Sequence, residues 1–223
     1  MPDVRVTVDI VGFAIEHGVL QILLIKRKYD PFRSSWALPG GFLAETDKRI
    51  DDAAYRELVE ETNVSEVFLE QLYTFGDVGR DPRGRVVTVA YLALLRTTEV
   101  RLEAGTDASG VAWWPINELP SLAFDHKDII ALAHQRLQYK IEYSPAAFSL
   151  LPSKFTLREL QDVYEVILER EIDNRNFRKK FLSTGCVEEL DEMTQEVSHR
   201  PARLYQFSPE RFQQLPDKPL FVF

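Results

Sequence analysis

Residues 4–13 alternate apolar and polar, with Val4, Val6, Val8 and Ile10 in one register, and this period of two predicts a strand. Glu16-His17-Gly18 reads as a turn, and residues 19–26 are nearly all apolar, so a second, central strand closes a hairpin. Residues 31–35 form a loop, and Pro39-Gly40-Gly41 breaks the stretch 36–42 at a strand edge. The spacing then becomes helical over residues 51–62, where Ala53, Ala54 and Leu58 make an apolar stripe and Asp51 can cap the first turn. Residues 67–75 and 86–95 read as strands around a polar loop at 77–85. A short strand at 110–114 precedes a helix over 126–139, with Ile129, Ile130, Ala133 and Leu137 at helical spacing.

The pattern changes at residues 143–154, which hold two prolines and several small residues, so a domain boundary is placed there, giving 1–146 and 147–223. Beyond it, helices are expected over 156–170 and 174–182 and a strand over 201–207. Thr156 and Glu159 have the spacing of a capping box, and Asn174 can cap the next helix. The acidic interval 188–198 reads as either helix or loop.

Composition narrows the class. The chain has 223 residues, 45% hydrophobic and 28% charged, ordinary for one large or two small globular domains. No apolar run is long enough to span a bilayer, and no signal peptide is read at the N-terminus, so no membrane partner is expected. The single cysteine, Cys186, cannot pair within the chain and reads as a small buried apolar residue, which suits a reducing cytoplasm. The net charge of −8 opposes nucleic-acid binding taken whole. Its distribution matters more: residues 1–149 carry 16 basic and 22 acidic side chains, residues 150–223 carry 11 and 13 with the basic ones clustered.

On a helix, Glu57, Glu60 and Glu61 share one face. Such crowding repels unless cations neutralise it, and Mg²⁺ takes oxygen ligands and bridges phosphates. Gly40 and Gly41 just ahead allow close backbone approach to a ligand. The stretch Leu38-Pro39-Gly40-Gly41-Phe42, followed by Arg56-Glu57-Leu58-Val59-Glu60-Glu61-Thr62-Asn63-Val64, resembles the Nudix box of the Nudix hydrolase superfamily. The resemblance implies an α/β/α sandwich with a mixed sheet, Mg²⁺ held by Glu57, Glu60 and Glu61, and hydrolysis of nucleoside-diphosphate derivatives by the same residues. The loop is one residue longer than the standard box. Its expected Glu falls on Asp47 counted from Gly41 and on Lys48 counted from Arg56, and Asn63, which tolerates positive φ, replaces a Gly.

Loop 77–85 brings Arg80, Arg83 and Arg85, whose guanidinium groups suit phosphate. Lys26 and Arg27 at the end of the second strand can reach the same ligand. Asp125 reads as a helix cap and His126 as a structural histidine. In the second segment Phe177 and Phe181 share one helix face while Arg175, Asn176, Arg178, Lys179 and Lys180 crowd the rest, an arrangement suited to a DNA major groove. Arg200 and Arg203 fall on a basic wing strand.

Together with Ala123-Phe124-Asp125-His126, the Asn176-Phe177-Arg178-Lys179-Lys180 helix and Arg200-Pro201-Ala202, these features resemble the Nudix-related transcriptional regulators typified by NrtR, over nearly the whole chain. That resemblance implies a Nudix domain followed by a small winged helix-turn-helix domain. It also implies a homodimer, a double-stranded operator as partner, and ADP-ribose or a related nucleotide or sugar as ligand. The expectation is therefore a ligand-responsive regulator of NAD or sugar metabolism genes, in which Lys26, Arg27, Gly40, Gly41, Arg80 and Arg85 meet the ligand. The alternative is a Mg²⁺-dependent ADP-ribose pyrophosphatase with an accessory domain.

Overall fold

A computed structural model of the chain describes residues 3–64, 67–98, 100, 102, 108–194, 201–215 and 221. Contacts divide the chain into two compact units, 1–136 and 137–223. In the first, β1 (Arg5–Glu16) and β2 (Val19–Arg27) form the expected hairpin, in register from Phe13↔Ile22 to Glu16↔Val19. Its turn residues His17 and Gly18 have φ of 50° and 75°, the left-handed pair that lets a two-residue turn follow the strand twist. β3 (Trp36–Ala37) pairs with β2, β4 (Gly40–Phe42) with β1, β5 (Phe68–Phe75) with β6 (Val86–Leu94), and β7 (Ala108–Pro115) with β2. β1 runs antiparallel to β2 but parallel to β6, so the sheet is mixed, in the order β3-β2-β1-β6-β5.

The two faces of β1 serve different ends. Val8, Ile10 and Ala14 pack with Val89 and Tyr91 of β6 against Ala53, Ala54 and Leu58 of α1 (Ile50–Thr62). Burying a side chain of the size of Leu58 stabilises by about 1.5–3 kcal/mol. On the alternate face, Phe13 meets the ring of His134 in α2 (His126–Tyr143), with centroids 6.4 Å apart. Helices on both sheet faces make the expected α/β/α sandwich.

The start of α1 differs from expectation. Asp51 does not cap it; Asp52 does, accepting from the backbone N–H groups of Lys48 and Arg49 at 3.1 and 3.0 Å. Asp51 instead accepts from the Tyr91 hydroxyl at 2.6 Å and from Arg49 at 2.8 Å. Asn63 ends the helix at φ 55°, the conformation its identity allows.

The second unit is built on aromatic packing. α3 (Leu157–Leu168) starts with the expected capping box, Thr156 Oγ1 accepting from Glu159 N at 3.1 Å and Glu159 accepting from Thr156 N at 2.6 Å. α4 (Asn174–Thr184) is capped by Asp173, whose carboxylate accepts from Asn176 N at 2.8 Å, and not by Asn174. Tyr164 of α3 packs edge-on against Phe177 and Phe181 of α4, and Phe181 stacks on Phe221 at 5.0 Å. The Tyr164 hydroxyl donates to the Ile141 carbonyl at 3.0 Å, tying α3 to the last turn of α2. The acidic interval is a strand, β8 (Val187–Met193), as far as it is described, and it pairs antiparallel with β9 (Arg203–Phe207) before a short α5 (Pro209–Gln214). Glu188, Glu189, Asp191 and Glu192 alternate with too few apolar residues for a period of two to be read from β8.

Phe181 is fully buried, with the rings of Phe148, Tyr164, Phe177 and Phe221 among those packed around it. Phe181→Ala is expected to cost about 3–5 kcal/mol, read as a lowered urea midpoint of the second unit. A cost under about 1 kcal/mol, within the range of an exposed substitution, would contradict this packing.

Candidate functional site

The first unit holds a cleft of about 610 Å³ between the sheet, α1 and the loop 77–85. Its wall begins at the two glycines. A Cβ on Gly40, at φ 157°, would run into the Val8 carbonyl, and one on Gly41 would strike the Glu57 carboxylate. Glycine here brings the backbone against α1, whose Glu57, Glu60 and Glu61 all line the cleft. Their charge is met by Arg56, which donates to Glu57 at 2.7 Å and lies 3.7 Å from Glu60. Arg56 is itself held by Asp47 through Nε at 3.2 Å and Nη2 at 2.9 Å, and by the Phe42 carbonyl. The position counted from Gly41 therefore does carry a carboxylate. Arg56 holds the Asp47 carboxyl below its ordinary range, helped by the Ala44 N–H, and the guanidinium is held still more firmly protonated.

The floor is a buried ion network. Arg80, its side chain only 4% exposed, donates to Asp125 through Nε at 2.8 Å and Nη2 at 2.7 Å, and Nη2 lies 3.4 Å from Asp9. Burial pushes Arg80 down, but Asp125 and Asp9 outweigh it and the net shift is upward. His126 Nδ1 accepts from Leu38 N–H at 2.8 Å, so the neutral ring carries its proton on Nε2, which faces Asp9 at 3.5 Å. Burial pushes the His126 pKa down from 6.5, against the pull of Asp9 and Asp125.

The rim is a ladder of alternating guanidinium and phenyl groups. Arg5 and Arg83 lie 5.1 and 5.0 Å from the Phe42 ring centre, and Arg83 and Arg27 lie 5.6 and 4.9 Å from that of Phe124. Buried Asp81 fixes Arg83, accepting from its Nε and Nη2 at 3.0 and 2.6 Å. Guanidinium groups and aromatic faces in one cleft suit a ligand with phosphates and a planar base.

Of the residues singled out from sequence, Arg27, Gly40, Gly41, Arg80, Glu57, Glu60 and Glu61 line this cleft. Lys26 lies between Ile25 and Arg27, which both do; it pairs with Gly110 of β7, and a Cβ added at Gly110 would lie 3.8 Å from its own. Arg85 is also outside the lining; its Nη1 is buried with no hydrogen-bond partner among the described residues. Asp9, Arg56, Phe124 and His126 join the cleft without having been assigned to the ligand, and Arg83, read with its loop as suited to phosphate, joins it too. Asp9 had a signal: it is a charge in a strand otherwise apolar on both faces from Val8 to Phe13. Asp125 spends its carboxylate on Arg80, not on capping α2.

In the second unit, Arg175, Asn176, Arg178 and Lys179 are exposed on α4 and Lys180 is half-buried. α4 carries no acidic residue, so the charges on its outer face are all cationic. The strand pair beside it is different. Arg203 is held by Glu189 at 3.2 Å and Asp191 at 3.3 Å, Lys154 by Glu192 at 2.7 Å and Arg211 by Glu188 at 3.0 Å. The expected basic wing is thus net acidic where described, with its bases taken up in ion pairs; Arg200 lies outside the described residues.

The imidazole of His126 gives a pH test. Its folded-state pKa is depressed, so the unfolded chain binds the proton more readily. The stability that the neutral ring allows is present above the ordinary histidine value of 6.5 and is lost as pH falls. Thermal unfolding should move to lower temperature between about pH 7.5 and 5.5, and His126→Gln should flatten that slope. An unchanged slope in the variant would contradict the assignment.

Known proteins share both units. The NUDIX domain model matches residues 4–133, and the model of the NrtR DNA-binding winged helix domain matches residues 147–207. The chain is 40% identical over 210 residues to the ADPR responsive transcriptional repressor NtrR of Acinetobacter baylyi, covering 93% of this chain and 83% of that one. It is similar to Shewanella oneidensis NrtR solved with a 27mer DNA, at 37% identity and a TM-score of 0.82, over 92% of this chain and 94% of that one. The Nudix domain of that protein, solved with ADP ribose, matches at 37% identity and a TM-score of 0.56 over 61% of this chain and 90% of that one. The chain belongs to the Nudix family and, through the winged helix domain that follows, to the NrtR proteins.

Proposed function

We propose that the chain is a transcriptional repressor that responds to ADP-ribose, or a related nucleotide or sugar, in the cleft of its first unit and binds operator DNA through α4. On this reading residues 1–146 bind the ligand and residues 147–223 the DNA, and the protein acts as a cytoplasmic homodimer on two half-sites. One observation carries it: a cleft lined by Arg27, Arg56, Arg80 and Arg83 shares a chain with an acid-free helix that exposes Arg175, Arg178 and Lys179. The first suits a diphosphate and the second a phosphate backbone. The responsiveness of the Acinetobacter relative to ADPR, and the DNA and ADP ribose in the Shewanella structures, support the same pairing. No helix among the described residues is long and apolar enough to cross a membrane.

A divalent cation such as Mg²⁺ is expected from Glu57, Glu60 and Glu61. These three carboxylates line the cleft and are the residues that would hold it, although as arranged no three acidic or imidazole groups among the described residues converge on one point. Arg56 instead engages Glu57. Ligand binding is therefore assigned to the cations of the chain. At a hundred times its Kd, ADP-ribose should stabilise the protein by about 2.7 kcal/mol in EDTA as well as in Mg²⁺. Loss of the shift in EDTA would assign the three glutamates to a metal and favour the hydrolase reading, whose signature is AMP release abolished in Glu60→Gln.

Gel shift on the upstream region of the gene tests the DNA half. Binding should weaken steeply with salt, and Lys179→Ala should lower the slope of log K against log [salt] by about one. No binding even at low salt would overturn the repressor reading.

A further inference from the structure

Arg80 is claimed twice, once by the cleft and once by the head of α2. Its Nε/Nη2 edge is filled by Asp125, Nη2 also lies near Asp9, and Nη1 makes no hydrogen bond among the described residues. One guanidinium charge already serves two carboxylates, and the neighbouring imidazole is neutral. A phosphate drawn to Arg80, whose side chain is 4% exposed, adds further negative charge beside Asp9 and Asp125. One carboxylate has to give way. Asp9 cannot, because it lies within β1, where it pairs with Ala90 of β6 on one side and Gly40 of β4 on the other. Asp125 lies in the segment before α2, and within the described residues its carboxylate accepts only from Arg80.

We propose that Asp125 is a positioning residue that reports occupancy of the cleft: it holds Arg80 when the cleft is empty and is released when an anionic ligand takes that guanidinium. The inference rests on the reading of the cleft as a ligand site and of α4 as the DNA-binding helix. Release at Asp125 is felt in α2 directly, because its carbonyl accepts from Asp128 N at 2.9 Å and Ile129 N at 3.2 Å in the first turn. α2 is one helix from His126 to Tyr143. In its last turns, which belong to the second unit, the Ile141 carbonyl accepts from the Tyr164 hydroxyl. The Tyr164 ring packs on Phe177 and Phe181, which share α4 with Arg178 and Lys179. The helix that starts at the cleft is thus the same helix that carries the Tyr164 contact, and the two arrangements of Asp125 are the states the ligand selects between.

The test compares operator affinity with and without saturating ADP-ribose, alongside calorimetric ligand affinity. In the unaltered protein the ligand should weaken operator binding about tenfold or more. Asp125→Asn keeps the shape and removes the charge. It should bind ADP-ribose at least as tightly, because Arg80 is freed, while the ligand effect on operator affinity falls to about twofold or less. Asp128→Asn, an exposed change in the same turn, should retain the full effect, and Asp125→Glu should restore part of it. A full ligand effect in Asp125→Asn would overturn the proposal. If the unaltered protein bound no ADP-ribose, or bound it with no effect on DNA, the underlying reading would fall with it. Hydrogen exchange in the unaltered chain gives a second measure independent of any variant: ADP-ribose should speed exchange at the amides of Asp128 and Ile129, and unchanged or slower exchange there would overturn the proposal.

Discussion

A carboxylate in the central strand of a buried sheet cannot stand alone, and Asp9 is placed there by the hairpin that builds the first unit. Its partners have to come from elsewhere in the chain, and they do: Arg80 from the loop between β5 and β6, and His126 from the start of α2. That requirement draws loop 77–85 and the head of α2 onto the sheet, and the cleft is the space left between them and α1. The ion network thus shapes the site as well as neutralising its floor. Replacing one partner alone would strand a buried charge, which is costlier than losing the whole network to apolar residues.

The rim and the α1 wall follow the same logic with cheaper partners. Arg83 is fixed by Asp81 and lies against two phenyl rings, and Arg56 is fixed by Asp47 and lies against Glu57 and Glu60. Each guanidinium is oriented by a carboxylate behind it, so little side-chain freedom remains to be lost when a ligand arrives. The second unit separates its charges differently: the acids of β8 outnumber the one base of β9, Arg203, which pairs with two of them, while α4 keeps Arg175, Arg178 and Lys179 exposed. The exposed cations of this unit that carry the proposed DNA contact are therefore those of α4, among the described residues.

Much of this was legible in the sequence because it is local. Period two gives the hairpin, period 3.6 gives α1 and its three glutamates, and the position of Phe177 and Phe181 fixes which face of α4 is left to the cations. The misread features are those whose partners are distant or whose pattern is unusual. Asp125 resembles a cap by its place before a helix; only the fold brings Arg80 to it across 45 residues of sequence. His126 stands beside Asp125 in the sequence, yet the carboxylate that faces its Nε2 is the distant Asp9. Asp52 and Asp173, not Asp51 and Asn174, carry the caps, since adjacent acidic or polar residues offer the same side chain one position apart. β8 escaped because its strand face is held by ion pairs in place of apolar packing.

The central claim is that an anionic ligand and Asp125 compete for the same guanidinium. A crystal structure of the full chain with ADP-ribose measures this directly. The account predicts a ligand phosphate oxygen within hydrogen-bond distance of Arg80 and the Asp125 carboxylate withdrawn from it. A bound ligand with Arg80 still donating to Asp125 through Nε and Nη2 would contradict it.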